Sequence, residues 1–306
     1  MKTFAYIVTP INIKQLKEGW ESLKFIPDYI LSLFCKLLPK YKIIKIGRFE
    51  SVQGDIIKGY KIVCPVLDER KQENLVLERI ISACRIAEGI GVKLIGLGNG
   101  TALIADKNYN KIFKNIKTPV TSGNALTAWC IFEKVYRLAK AKNIPLNKST
   151  LFILGADTQT GFLAARKLSD YAAKIIIAGK DADRLKKLKE AILHQNHIEI
   201  VIESDIESAI KDAGIVINAD EIPAANLKLK ENSIYCDVKG LIVKEYREKG
   251  DKFIQPSLAE TVLLLLDGKF ISYSLGENSN LDKLEEIADI AVQHGYEVWV
   301  PEAPIL

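Results

Sequence analysis

The heptapeptide Gly155-Ala156-Asp157-Thr158-Gln159-Thr160-Gly161 follows the apolar stretch Ser149 to Leu154 and opens a helical pattern. A glycine loop between a strand and a helix is where a dinucleotide pyrophosphate is held. Its first glycine makes the tight turn, a middle glycine lets the backbone approach the phosphates, and the last lets helix pack on strand. Gly155 and Gly161 take the outer places, with Ala156 and Thr160 beside them, but the middle place holds Thr158. Its Cβ narrows the approach, so these residues fit both a cofactor loop and a fold that has lost its cofactor. Farther on, Ala178-Gly179-Lys180-Asp181 stands where an acid would accept the ribose hydroxyls of NAD. A lysine there can pair with a 2′-phosphate, which favours NADPH over NAD. The other reading is a solvated lysine ahead of Asp181 as a helix N-cap. Asp237, at the end of a later predicted strand, joins the cofactor candidates.

Asn124, Thr127, Ser257 and Glu260 are the polar candidates for the chemistry itself. Asn124 opens a helix, where its amide either caps the backbone or points at a substrate carbonyl. Glu260 lies inside the apolar run Leu258 to Leu266, so it faces a cleft as an acid/base or bonds neighbouring backbone. Cys236, beside Asp237, is a candidate thiol, although cysteines in apolar strands are usually small buried hydrophobes. Cys35, Cys84 and Cys130 read as core. His294, before Gly295, suits a helix dipole better than catalysis, and His194 and His197 do not read as metal ligands.

The elements that position these residues alternate. Strands are expected at the N-terminus, over Tyr41 to Ile46, over Lys61 to Val66 and over Val92 to Leu97; Ser51 to Asp55 is turn material. Helices are expected from Pro27, over Gln72 to Gly89 and from about Ala125 to Lys142. From Ser149 the pattern becomes βαβαβ, with a loop at Gly155, helices over Phe162 to Tyr171 and Asp181 to His194, and strands over Lys174 to Ala178 and Ile198 to Ile202. Strands over Ile215 to Asn218 and Ile234 to Asp237 continue it, and Ser257 to Leu266 and Asp282 to Gly295 close the chain as helices. Right-handed crossovers make such a sheet parallel. The fold class is therefore α/β: a doubly wound parallel Rossmann sheet, an N-terminal α/β substrate domain and C-terminal helices packing back on the latter. Boundaries are expected at 1–145, 146–255 and 256–306.

Composition restricts the rest. At ~150 residues per domain, 306 residues suggest two domains, and 48% hydrophobic with 26% charged residues suffices for a sizeable core. Forty-three Lys plus Arg against 38 Asp plus Glu give +5, spread without a basic patch, which argues against a nucleic-acid partner. Five scattered cysteines without a CxxC pair indicate a reducing compartment, hence the cytoplasm, and no zinc site. The N-terminal apolar run is too short for a signal-peptide core. The most apolar stretch, Phe25 to Leu38, is interrupted by Asp28, Ser32 and Lys36, so no transmembrane segment is expected.

Several motifs recur together. Gly98-Asn99-Gly100-Thr101, Thr121-Ser122-Gly123-Asn124-Ala125-Leu126-Thr127-Ala128, the loop at Gly155 and Leu258-Ala259-Glu260-Thr261 stand in an order that resembles the cyanobacterial-type long-chain acyl-[acyl-carrier-protein] reductases. Gly59-Tyr60 with Cys64, Tyr273 to Asn278, Ile287-Ala288 and Gln293-His294-Gly295 extend the resemblance over nearly the whole chain. It implies reduction of an acyl thioester, carried by acyl carrier protein or coenzyme A, through a cysteine adduct to a fatty aldehyde with NADPH. It also implies a wider kinship with shikimate dehydrogenase and glutamyl-tRNA reductase folds, and a homo-oligomer is compatible with it.

The departures are local. The family's acylated cysteine stands two residues before the alanine-glutamate pair, and that position is Ser257. A serine hydroxyl is a poor nucleophile unless a base activates it, and its ester accepts hydride less readily than a thioester. The segment from Asp237 to Ser257 is also shorter than in the family. The expected cleft is lined by Asn99, Thr101, Asn124, Thr127, Ser257 and Glu260. The leading expectation is an NADPH-dependent acyl reductase; the alternatives are a dehydrogenase of a free carbonyl or alcohol without a covalent intermediate, and a catalytically silent Rossmann-fold binding protein.

Overall fold

A computed structural model describes residues 2–10, 13–19, 23–34, 41–51, 54–66, 73–98, 100–220, 227–247 and 250–300. The chain divides into two compact units, Met1–Gly123 with Ser257–Asn278 and Gln293–Gly295, and Asn124–Pro256 with Ser279–Val292 and Tyr296–Leu306. Each builds its own sheet and core.

The first unit opens with β1 (Thr3–Val8), α1 (Ile13–Gly19), α2 (Asp28–Phe34), β2 (Lys42–Glu50), β3 (Ile56–Val63), α3 (Glu73–Ile90), β4 (Leu94–Leu97), α4 (Gly100–Lys107), α5 (Tyr109–Asn115) and β5 (Val120–Thr121). The sheet order is β2-β3-β1-β4-β5, with β2 antiparallel to β3 and the other pairs parallel. β3 starts five residues earlier than the sequence pattern suggests. A Ser51 N–H to Asp55 carbonyl bond of 3.0 Å precedes the strand, and the whole of Ile56 to Val63 pairs with β2. On α3 the apolar positions Val76, Ile80, Ala83, Cys84 and Ala87 repeat at helical spacing and bury against Ala5, Ile7, Ile62, Ile95 and Leu97.

The second unit follows with α6 (Asn124–Ala141), β6 (Thr150–Leu154), α7 (Gln159–Leu168), β7 (Lys174–Ala178), α8 (Ala182–Gln195), β8 (Glu199–Ile202), α9 (Ile206–Asp212), β9 (Ile215–Asn218) and β10 (Ile234–Asp237). The sheet β10-β9-β6-β7-β8 is parallel throughout. β6, where the crossovers reverse direction, is the switch point at which a doubly wound sheet takes its ligand. Short polar caps set the helix starts: Asp181 accepts the Arg184 N–H at the head of α8, and Asp205 accepts the Glu207 and Ser208 N–H groups at the head of α9. Thr158 does the same for α7, which therefore begins at Gln159 rather than at Phe162.

β11 (Ile242–Glu245) and β12 (Lys252–Ile254) follow, then α10 (Pro256–Leu266), α11 (Leu281–Gln293) and β13 (Tyr296–Trp299). β12-β11-β13 form a small antiparallel sheet that the sequence pattern does not announce, because its strands are three or four residues long and rich in Lys and Glu. α10 is apolar almost all round, and its Val262 to Leu266 are buried. Among the described residues no helix is long and apolar enough to cross a membrane. Phe152, fully buried at the centre of β6 against Val216, Ile176 and Ala209, is the test of the second core. Phe152→Ala is expected to cost about 3–5 kcal/mol, read as an earlier urea transition by circular dichroism.

Candidate functional site

At the end of β6 the chain must turn sharply into α7. Gly155 does this at φ +76, and a Cβ there would lie 2.6 Å from the Asp220 nitrogen and 2.8 Å from the Ala219 carbonyl carbon. A side chain at Gly161 would run into the Gly155 carbonyl oxygen. The two outer glycines thus have the turn and close-packing roles of a dinucleotide loop. Ala156 is buried, and its N–H donates to the Ala178 carbonyl at 3.0 Å. Thr158 holds the loop from within: its hydroxyl donates to the Gly155 carbonyl at 2.8 Å and accepts the Gly161 N–H at 3.0 Å. The middle glycine is therefore replaced by a cap that takes one of the helix's first amides. The Gln159 and Thr160 N–H groups still have no intrahelical acceptor. These amides, with the positive end of the α7 dipole, suit a pyrophosphate, so the loop fits a dinucleotide. The Thr160 hydroxyl donates to Asn124 Oδ1 at 2.9 Å, which engages the amide of Asn124 within the second unit.

Around the end of β7 the charges are already paired. Lys180 Nζ lies 2.6 Å from Asp220 Oδ2. The Lys180 and Asp181 N–H groups both donate to Asp157 Oδ2, at 3.0 and 3.1 Å. Asp181 is the N-cap of α8, one of the two readings its sequence position allows. At the end of β10, Asp237 accepts the Tyr235 hydroxyl at 2.9 Å, the Asn218 amide at 3.3 Å and the Lys239 N–H at 2.9 Å. Burial, with Asp237 alongside, pushes the Tyr235 phenol up to about 12. Cys236 is fully buried, and burial pushes its thiol up to about 12. Of the two readings of Cys236, this burial matches the small buried hydrophobe rather than the working thiol.

A second cluster lies in the first unit. The Tyr6 hydroxyl on β1 and the Ser257 hydroxyl in the first turn of α10 are 2.7 Å apart. Ser257 is partly exposed, whereas Tyr6 is 4% exposed and burial pushes its phenol up to about 12. Two sequence motifs make room for the pair. A side chain at Gly98 would collide with the Tyr6 hydroxyl, and one at Gly123, at φ +78, with the Ser257 backbone. Thr101 is committed to the scaffold, donating to the Gly98 and Ile7 carbonyls at 2.6 and 3.1 Å. One turn along α10, Glu260 is completely buried and accepts the hydroxyls of Thr121 and of Ser274, the latter at 2.5 Å. Its donors are side-chain hydroxyls from β5 and the 272–275 segment.

The structure brings Ser257 and Glu260 together on α10 of the first unit, and Asn124 and Thr127 on α6 of the second, where Thr127 is partly exposed. Asn99 and Cys35 lie outside the described residues. His294, just beyond α11, is buried, with Nδ1 2.8 Å from the Ser51 hydroxyl and Nε2 3.6 Å from Asp267. Tyr6 and Asp157 are the residues that sequence reasoning missed. Tyr6 sits in an apolar strand with nothing to mark it. Asp157 was visible in the loop, but its partners lie 23 and 24 residues away.

No protein-family model matches the chain. It is 23% identical over 291 residues to the aminotransferase PigE of Serratia sp. (strain ATCC 39006), an alignment covering 83% of this chain and 34% of that protein. The chain thus spans about a third of the length of that curated relative. Among solved structures it is similar to L-tryptophan dehydrogenase from Nostoc punctiforme, at 11% identity and a TM-score of 0.40 over 94% of this chain and 80% of that one. It is similar also to shikimate 5-dehydrogenase from Listeria monocytogenes, at 13% identity and 0.37 over 94% and 96%. For the Mycobacterium tuberculosis shikimate dehydrogenase the figures are 9% and 0.40 over 95% and 100%. None of these is near enough in sequence or backbone to decide an activity.

Glu260→Ala leaves the buried Thr121 and Ser274 hydroxyls without their shared acceptor and is expected to destabilise the protein by roughly 2–4 kcal/mol. Glu260→Gln, which keeps an acceptor oxygen, is expected to lose less. Denaturant titration of the two variants side by side checks the order.

Proposed function

We propose that the chain is a nicotinamide-dinucleotide-dependent oxidoreductase that interconverts a small molecule's free carbonyl and its alcohol, without an acyl-enzyme intermediate. The observation that carries this reading is the partner of Ser257. Its hydroxyl is bonded to a neutral phenol, which can donate a proton but is not the base that a nucleophilic serine requires.

The loop Gly155 to Gly161 and the first amides of α7 would hold the pyrophosphate, and a bound nicotinamide would supply or accept the hydride. The remaining work is proton handling. The Ser257 hydroxyl donates a hydrogen bond to the carbonyl oxygen, which draws negative charge onto that oxygen as reduction proceeds. Its proton passes to the forming alkoxide and is replaced from Tyr6 across the 2.7 Å contact. An alkoxide is a stronger base than a phenolate, so the transfer runs downhill even from a phenol raised to about 12. In the oxidation direction the same two hydroxyls relay the proton outward.

A second reading, thioester reduction as in the acyl reductases, is favoured by the motif order and by the partly exposed position of Ser257 at the head of α10. Steady-state assays with NADPH and NADH against aldehydes, ketones and acyl thioesters separate the two. Turnover is expected with a free carbonyl and not with thioesters. If Ser257→Cys forms an acyl adduct by mass spectrometry and reduces thioesters, the second reading holds. No turnover and no dinucleotide binding would leave the silent binding protein.

Tyr6→Phe removes the proton source and is expected to lower kcat by roughly 10²–10⁴, with little change in dinucleotide affinity. The Tyr6 proton is kept at every pH below its pKa and is lost only as pH rises through about 12. The pH profile of carbonyl reduction is therefore expected to show no alkaline limb from this group in the physiological range, which a kcat/KM titration checks.

A further inference from the structure

We infer that Asp157 reads the adenosine ribose and that the site prefers NAD(H), the dinucleotide without a 2′-phosphate. This rests on the dinucleotide reading above. Where a doubly wound sheet that binds NAD carries an acid at the end of its second strand, this chain has Gly179. The carboxylate that occupies the place comes from the first loop instead. A side chain at Gly179 would collide with Asp157 Oδ1, so the missing Cβ is what admits the Asp157 carboxylate over the strand end.

The two oxygens of Asp157 have different surroundings. Oδ2 accepts the Lys180 and Asp181 N–H groups at 3.0 and 3.1 Å, the successive amides that a 2′-phosphate would otherwise seek. Oδ1 accepts no hydrogen bond from the described residues and is the acceptor left for a ribose hydroxyl. Lys180, whose sequence position suggests a phosphate partner, has its ammonium 2.6 Å from Asp220 Oδ2, and the Asp220 side chain is only 12% exposed. Asp181 Oδ1 is taken by the Arg184 N–H at 3.0 Å. A 2′-phosphate, with a charge of about −1.5 to −2, would meet Asp157, Asp181 and Asp220 around one ammonium that is already neutralised. A neutral ribose hydroxyl meets no such opposition.

Calorimetric titration of the purified chain with NADH, NADPH, ADP-ribose and 2′-phospho-ADP-ribose tests this; the last two report on the adenosine end alone. The ligands without the 2′-phosphate are expected to bind at least about tenfold more tightly, the scale of one charge-assisted hydrogen bond. Asp157→Asn keeps the size and an acceptor for the two amides while removing the charge, and is expected to shrink or reverse that ratio. An unchanged melting profile confirms that the variant folds, and the comparison on the unaltered chain stands without it. Equal or tighter binding of the phosphorylated ligands by the unaltered chain overturns the inference and leaves the dinucleotide reading in place. An unchanged ratio in folded Asp157→Asn overturns the role of Asp157. Binding of none of the four overturns both the inference and the reading on which it rests.

Discussion

A carboxylate with no surface in contact with water must find its donors inside the fold, because an ionised or polar group buried without partners costs several kcal/mol. Glu260 is such a group. Its donors come from β5, through Thr121, and from the 272–275 segment, through Ser274. Satisfying them fixes α10 along its length and in rotation against the first unit's sheet. Ser257 is one turn back on the same helix, so its approach to Tyr6 is set by the same constraint. Thr261, beside Glu260, donates to the Ser257 carbonyl at 3.0 Å and lies against Gly96, which leaves α10 little freedom to rotate. A buried polar network with its members paired specifies one arrangement, and this one specifies where the Ser257 hydroxyl stands.

The second unit solves a different problem with similar means. A parallel sheet buried on both faces reads as unbroken apolar strands, and β6, β7 and β9 are of that kind. Such strands carry no chemistry. All of it falls on the loops at their carboxyl ends, where Gly155, Asp157, Thr158, Lys180 and Asp220 gather. Thr158 shows how one residue alters such a loop. It takes the amide of Gly161 by hydrogen bonding within its own turn, leaving fewer amides for a ligand and a more rigid start to α7. Through the Thr158 hydroxyl the loop supplies part of its own acceptor set.

Most of the architecture was legible in the residues. The long helices α3 and α6 announce themselves by apolar spacing, and the βαβαβ run by alternation of apolar strands with amphipathic helices. The helix start at Asp181 follows from a short polar side chain placed to cap, whereas the two-turn α9 capped by Asp205 is too short for its pattern to stand out. The misses have physical reasons. β11, β12 and β13 are too short and too charged for their pattern to stand out, and they form a sheet only because β11 pairs both with nearby β12 and with β13, some fifty residues farther along the chain. Cys236 stands near an expected active edge, and its burial leaves the reading as a small buried hydrophobe, the commoner one for a cysteine in an apolar strand.

The sequence by itself determined the α/β class, the glycine loop after β6 and the short list of hydroxyls and carboxylates from which a site could be made. These are local properties: periodicity, turn chemistry and the need for glycine at φ +76 are written in a few consecutive residues. Which of those groups touch was decided only by tertiary structure. Tyr6 and Ser257 are 251 residues apart, Thr121 and Glu260 139, and Lys180 and Asp220 40. A hydrogen bond depends on a few tenths of an ångström and on direction, and across such separations neither is encoded in spacing along the chain. The same reason accounts for Asp157. Its type and position were in plain view, but its role depends on the absent side chain of Gly179 and on two amides that only the folded sheet brings beneath it.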